Sequence, residues 1–191
     1  MKQETRKQML TIPNLLSFLR LCLIPLMIWL YCSQRNYALT AAVLILSGLT
    51  DMVDGYIARR FNMVTDFGKA LDPIADKLTQ AAVMFCLVTR FQMMLVPLLL
   101  LIFKEVCNGI MSLAVIKKTG KVCGADWHGK VCTCFLYAMM FLHIVWFDIS
   151  RPWSTALISI CVIMMTVSFG LYMTRNYKML TKEVKSNDNA A

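Results

Sequence analysis

The chain has 191 residues, is 58% hydrophobic with a mean hydropathy of +0.60, and carries a formal charge of +9. Soluble domains are typically nearer ~45–50% apolar, so the composition excludes an ordinary globular domain and points to an integral membrane protein. The basic excess is not a nucleic-acid signal, because no aromatic-interleaved basic stripe or nucleic-acid-binding motif accompanies it.

In chain order, residues 2–10 carry Lys2, Arg6 and Lys7 and read as a short interfacial segment at an anionic membrane surface. No A-x-A-like site follows the first apolar run, so no cleavable signal peptide is expected. Six apolar runs come next, at about 14–32, 38–60, 67–89, 91–116, 130–148 and 154–174, each near the ~20 residues a helix needs to cross a bilayer. The expected fold is therefore an all-α integral membrane protein with six transmembrane helices, a single domain over residues 1–182. Residues 183–191 form a polar tail expected to be disordered.

Lys and Arg mark the sides of the membrane. With the N-terminus cytoplasmic, that side receives Lys2, Arg6, Lys7, Arg59, Arg60, Lys69, Lys117, Lys118, Lys121, Lys130, Arg175, Lys178, Lys182 and Lys185. The far side receives only Arg35, Arg90 and Arg151, a ratio of 14 to 3. Both termini and the loop near residues 61–66 are then expected on the cytoplasmic side.

That loop joins the two runs that hold the most informative pattern. It reads D-x2-D-G-x2-A-R-x8-G-x3-D-x3-D, from Asp51, Asp54, Gly55, Ala58 and Arg59 to Gly68, Asp72 and Asp76. Charge at membrane depth is costly and usually marks function. Asp51 and Asp54 are three apart, Asp72 and Asp76 four apart, so each pair shares a helix face. Two antiparallel helices would bring the pairs together at one membrane surface. Carboxylates at that density repel and take up protons, and hard cations such as Mg²⁺, Mn²⁺ or Ca²⁺ relieve this. Gly55 allows close approach of a ligand to the backbone, and Arg59 offers a planar fork suited to phosphate.

The pattern resembles, without a departure, the signature of the CDP-alcohol phosphotransferase family, integral membrane enzymes that make phospholipid head groups. Residues Thr11 to Arg20 resemble that family's lead-in to its first membrane helix. Residues Gly68 to Lys77 resemble the branch holding phosphatidylglycerophosphate synthases and CDP-diacylglycerol-dependent cardiolipin synthases. The resemblance implies that Asp51, Asp54, Asp72 and Asp76 bind two divalent ions, Mg²⁺ or Mn²⁺. It implies that Asp76 also takes the proton from the attacking hydroxyl, and that Gly55, Arg59 and Thr65 contact the cytidine diphosphate moiety of CDP-diacylglycerol. It implies release of CMP, glycerol 3-phosphate or phosphatidylglycerol as acceptor, a homodimer, and a bacterial plasma membrane with the active site on the cytoplasmic side.

Each residue also has a plainer reading. The four Asp can form ion pairs with Arg59, Lys69 and Lys77. Arg59 can anchor the chain at the membrane surface, and Thr65 can cap a helix. Asn14 and Ser17 either cap the first membrane helix or touch the nucleotide. Lys104 and Glu105 lie inside an apolar run, where charge calls for a partner or a wet pocket. Glycerophosphate-using relatives commonly place Arg-Glu there, and Lys keeps the charge without the bidentate fork. Lys104 and Lys130 are candidates to bind an anionic acceptor; the alternative is a Lys104–Glu105 structural pair and a snorkelling Lys130. Eight cysteines include no C-x-x-C pair, and the spacing of Cys123, His128, Cys132 and Cys134 fits no standard zinc pattern. A cation or proton transporter is the rival class. Against it, the four motif carboxylates gather at one face.

Overall fold

The computed structural model describes residues 12–61, 66–119, 127–146 and 148–188. Among them there is no strand. Six long helices follow one another: α1 (Ile12–Ile28), α2 (Tyr37–Arg60), α3 (Asp66–Val88), α4 (Leu95–Thr119), α5 (Trp127–Val145) and α6 (Arg151–Asp188). A π-helical turn, Trp29–Ser33, extends α1, and a 3₁₀ turn, Gln92–Met94, leads into α4.

The apolar runs become these helices because a backbone in lipid must satisfy its own hydrogen bonds. The same constraint lets Pro25 and Pro73 sit inside α1 and α3, where neighbours compensate for the missing N–H. The turn before α2 is closed by Asn36, whose side chain accepts from the Leu39 N–H at 3.1 Å; such a cap contributes about 1 kcal/mol. Arg35, just before it, has φ 51°.

The surface is apolar and the interior holds polar groups. Phe18, Phe85, Ile110 and Ile163 are each about 60% exposed, while Ser17, Thr79, Gln80 and His143 are buried. Water would penalise that arrangement and lipid rewards it. Four segments are long and apolar enough to cross a bilayer: Asn14–Ser33, Gln92–Lys117, Trp127–Val145 and Arg151–Met179. Six such segments were expected; the described residues form six long helices, and four of them are long and apolar enough to cross. The apolar part of α2 is shorter, Tyr37–Asp51, because the acidic motif occupies its end and the start of α3. Helical geometry also continues through residues 183–188, a stretch read above as tail; Glu183 and Lys185 there are good helix formers.

The chain forms two compact units, residues 1–92 with 140–148, and residues 93–139 with 149–191. In the first, α1 packs against both α2 and α3. Its core includes Met27, Leu30, Leu44, Met84, Leu87 and Ile144, and His143 meets the edge of Phe91 at 5.0 Å between centroids. In the second, α4 packs against α6 around Leu98, Leu101, Val115, Ile158, Cys161 and Met165. There a Cβ at Gly129 would collide with the Tyr172 hydroxyl, so glycine leaves room for the end of that side chain.

Candidate active site

The first unit brings the start of α1, the end of α2 and the start of α3 together. On α1, Asn14, Ser17 and Arg20 recur every three residues and so share a face. All three are buried, at 4%, 0% and 1% exposure. With lipid outside, apolar burial does not hold these helices together; small residues and interhelical polar contacts do. Ser17 and Ala75, both fully buried, are small enough for close packing of α1 on α3.

Three motif carboxylates meet partners here. Ser17 Oγ donates a hydrogen bond to Asp72 Oδ1. A guanidinium nitrogen of Arg20 lies 2.5 Å from Asp51 Oδ1. Gln80 Nε2 donates to Asp76 Oδ2 at 2.9 Å, and Lys77 Nζ lies 4.0 Å from the same oxygen. The two interhelical links, Ser17–Asp72 and Arg20–Asp51, are each worth about 0.6–2 kcal/mol in a membrane. Gln80 is itself 0% exposed, so its amide holds the Asp76 carboxylate in a fixed direction.

Asp51 and Asp76 keep open sides, with side chains 48% and 23% exposed. Among the described residues, Asp51 and Asp72 each engage only Oδ1, which leaves Oδ2 of each for another partner. Hard carboxylate oxygens of this kind suit divalent cations. No group of three potential metal ligands closes among the described residues. Asp54, Gly55 and Arg59 lie on the α2 backbone, but the side chains of Asp54 and Arg59 and the surroundings of Gly55 fall outside the described residues, as does Thr65 entirely.

The capping alternative for Asn14 and Ser17 fits poorly with Ser17, whose hydroxyl points across to α3. Two residues the sequence reading passed over, Arg20 and Gln80, hold the carboxylates. The spacing Asn14–Ser17–Arg20 was the available signal for the first. Gln80, four residues after Asp76, was the signal for the second.

Lys104 and Lys130 belong to the second unit. Lys104 is 5% exposed with Nζ 3.5 Å from Glu105 Oε1, and Lys130 is exposed in the first turn of α5. His128 lies in that same helical turn. Its ring packs 4.7 Å from that of Tyr172, and Nδ1 is 3.3 Å from Ser168 Oγ. Cys132 is buried and Cys134 exposed, while Cys123 lies outside the described residues.

The chain is similar in sequence to known proteins. A CDP-diacylglycerol–glycerol-3-phosphate 3-phosphatidyltransferase of Bacillus subtilis is 31% identical over 193 residues, covering 90% of this chain and 98% of that protein. One of the same name from Rickettsia typhi is 40% identical over 99 residues, 51% of this chain and 56% of the relative. A cardiolipin synthase (CMP-forming) of Streptomyces coelicolor is 44% identical over 84 residues, 40% of this chain and 39% of the relative. The chain thus aligns to about half the length of the Rickettsia relative and to nearly all of the Bacillus one. Residues 10–174, which include α1 to α5 and every motif carboxylate, match the CDP-alcohol phosphatidyltransferase family, and the chain belongs to it.

Proposed function

We propose that the chain transfers a phosphatidyl group from CDP-diacylglycerol to the hydroxyl of glycerol 3-phosphate, giving phosphatidylglycerophosphate and CMP. The observation that carries this reading is the convergence of Asp51, Asp72 and Asp76 with Ser17, Arg20 and Gln80 at one end of the first unit. The names of the Bacillus and Rickettsia relatives support glycerol 3-phosphate as acceptor. The Streptomyces relative supports a second acceptor, phosphatidylglycerol, with cardiolipin as product.

Asp51, Asp54, Asp72 and Asp76 are the residues that would hold two divalent ions, Mg²⁺ or Mn²⁺. When bound, such ions offset diphosphate charge and orient it for in-line displacement. Arg20 holds Asp51, and Ser17 holds Asp72, so both carboxylates are fixed before substrate arrives. Asp76, aligned by Gln80, takes the proton from the acceptor hydroxyl as its oxygen bonds to the phosphatidyl phosphorus. The bond from that phosphorus to the bridging oxygen breaks, and CMP leaves with that oxygen. Gly55, Arg59 and Thr65, with Asn14 one helical turn before Ser17, are the groups proposed to hold the nucleotide.

The test is CMP release by purified protein given CDP-diacylglycerol and either acceptor. If Lys104 and Lys130 grip a phosphate, Lys104→Ala and Lys130→Ala raise the acceptor KM and leave that for CDP-diacylglycerol nearly unchanged. A charge-assisted hydrogen bond of ~1.5–3 kcal/mol at each site corresponds to roughly ten- to hundredfold in kcat/KM. Turnover with phosphatidylglycerol alone, indifferent to both lysines, would transfer the assignment to cardiolipin synthesis.

The proposed setting is a bacterial plasma membrane, with six crossings and the carboxylates and both termini facing the cytoplasm. The 14 to 3 distribution of Lys and Arg supports it. In a cysteine-free background, a single cysteine at position 62 should react only from the cytoplasmic side and one at position 35 only from outside. Reaction of both from one side would refute the arrangement.

A further inference from the structure

At the other end of the first unit, α1 and α3 finish together around a cavity of about 340 Å³. From Ser17 to Tyr31 along a helix is roughly 20 Å, so this cavity is well separated from the carboxylates. It is lined by Tyr31, Cys32, Arg35, Tyr37, Thr89 and Arg90. Two of these six are arginines and none is acidic.

The lining is organised. The Arg90 guanidinium lies over the Tyr37 ring at 5.8 Å and the Phe91 ring at 5.3 Å. Tyr37 in turn meets Tyr31 edge-on at 5.2 Å between centroids. These contacts fix the position of the guanidinium by its faces, and a guanidinium fork suits phosphate oxygens. Tyr31 is 4% exposed, and its hydroxyl is buried with no hydrogen-bond partner among the described residues. A buried polar group left so costs free energy that a ligand recovers. Arg35 holds φ at 51°, the left-handed region that a long side chain seldom adopts. Backbone strain of this kind gathers at ligand clamps.

Depth in the membrane narrows the ligand. The candidate span Asn14–Ser33 ends at this cavity, which puts Tyr31, Tyr37 and both arginines at the level where tyrosines gather and lipid phosphates lie. The volume falls in the range of small-ligand pockets, ~300–1,000 Å³.

We propose that this cavity is an anion site that binds a phosphate group, with Arg35 and Arg90 as the charged clamp and the Tyr31 hydroxyl as an additional hydrogen-bonding group. The site is separate from the transferase centre and takes no part in phosphatidyl transfer. The phosphate can belong to a lipid head group or be free in solution.

Cys32 lines the cavity and is exposed, so it reports occupancy. Its sulfur lies 3.9 Å from that of Cys86, and the experiment is therefore run under reducing conditions. The purified protein in detergent is pulsed with N-ethylmaleimide, and alkylation of Cys32 is followed by peptide mass spectrometry. Three additions are compared: dihexanoyl phosphatidic acid, inorganic phosphate, and dihexanoylglycerol, which lacks the phosphate. Phosphatidic acid should slow alkylation of Cys32 while the other cysteines keep their rates. Protection by inorganic phosphate as well assigns the site to the phosphate group alone, and protection by the lipid only assigns it to a lipid head group. Loss of one charge-assisted contact should raise the concentration needed for protection by about tenfold or more in Arg35→Asn and Arg90→Gln. Asn tolerates the left-handed backbone, so Arg35→Asn should fold at least as well as the parent while it loses binding. No protection of Cys32, equal protection by dihexanoylglycerol, or protection that survives both substitutions together would each overturn the proposal.

Discussion

Chelation by EDTA should abolish CMP release from CDP-diacylglycerol, and added Mg²⁺ or Mn²⁺ should restore it. The expectation rests on the charges at the site. Among the described residues, Asp51 has the Arg20 guanidinium in contact and Asp76 has the Lys77 ammonium at 4.0 Å. Asp51 and Asp72 each keep an oxygen with no partner among the described residues. Substrate diphosphate brings further negative charge to the same place. Repulsion of this kind either drives proton uptake or recruits a cation, and carboxylate oxygens select hard divalent ions. A binding readout separates the metal from the chemistry: the Mn²⁺ electron paramagnetic resonance signal should show bound ion in the parent and markedly less in Asp51→Asn and Asp72→Asn. Full activity in metal-free buffer would refute the two-metal reading.

Asp76→Asn should lower kcat by about 10²–10⁴-fold, the usual range for removal of a general base, while CDP-diacylglycerol still binds. Asparagine matches the shape of aspartate, and its amide oxygen can still accept from Gln80 Nε2, which holds Asp76 Oδ2 at 2.9 Å. Packing on α3 is therefore kept and only the capacity to take the proton is lost. Asp51→Asn should instead weaken nucleotide binding, because it removes a ligand proposed to link enzyme and diphosphate. Gln80→Leu tests the alignment. It removes one buried hydrogen bond, worth ~0.5–1.5 kcal/mol, and should reduce kcat by up to about tenfold with KM little changed. Wild-type turnover by Asp76→Asn, measured as CMP release at saturating substrates, would exclude Asp76 as the base.

The helices were legible in the sequence because each is an apolar run of membrane-spanning length, and nothing distant decides whether such a run becomes a helix in lipid. The expected run at 38–60 became α2, Tyr37–Arg60, and the run at 67–89 became α3, Asp66–Val88. The family was legible too, because the motif lies within one helix pair and its spacing is local. The end of α6 was less legible: residues after 174 lose their apolar character, yet helix propensity carries them on to Asp188.

Tertiary structure alone decided which groups meet the carboxylates. Ser17 and Asp72 are 55 positions apart, and only the packing of α1 on α3 joins them. Arg20, which the sequence showed only as the end of the lead-in to the first membrane helix, is 1% exposed and bound to Asp51. Lys104, by contrast, pairs with its own neighbour Glu105, a contact that adjacency in the chain already suggested. The aromatic and arginine cavity was hidden for the same reason as the Ser17 link. Tyr31 and Arg90 come from the ends of different helices, and the sequence recorded Arg35 and Arg90 only as two of three cations on the far side. Local periodicity determines a helix and the face on which a residue lies. Which face a neighbouring helix covers is set by close packing of small residues and by polar pairs between helices, and those pairs form only in three dimensions.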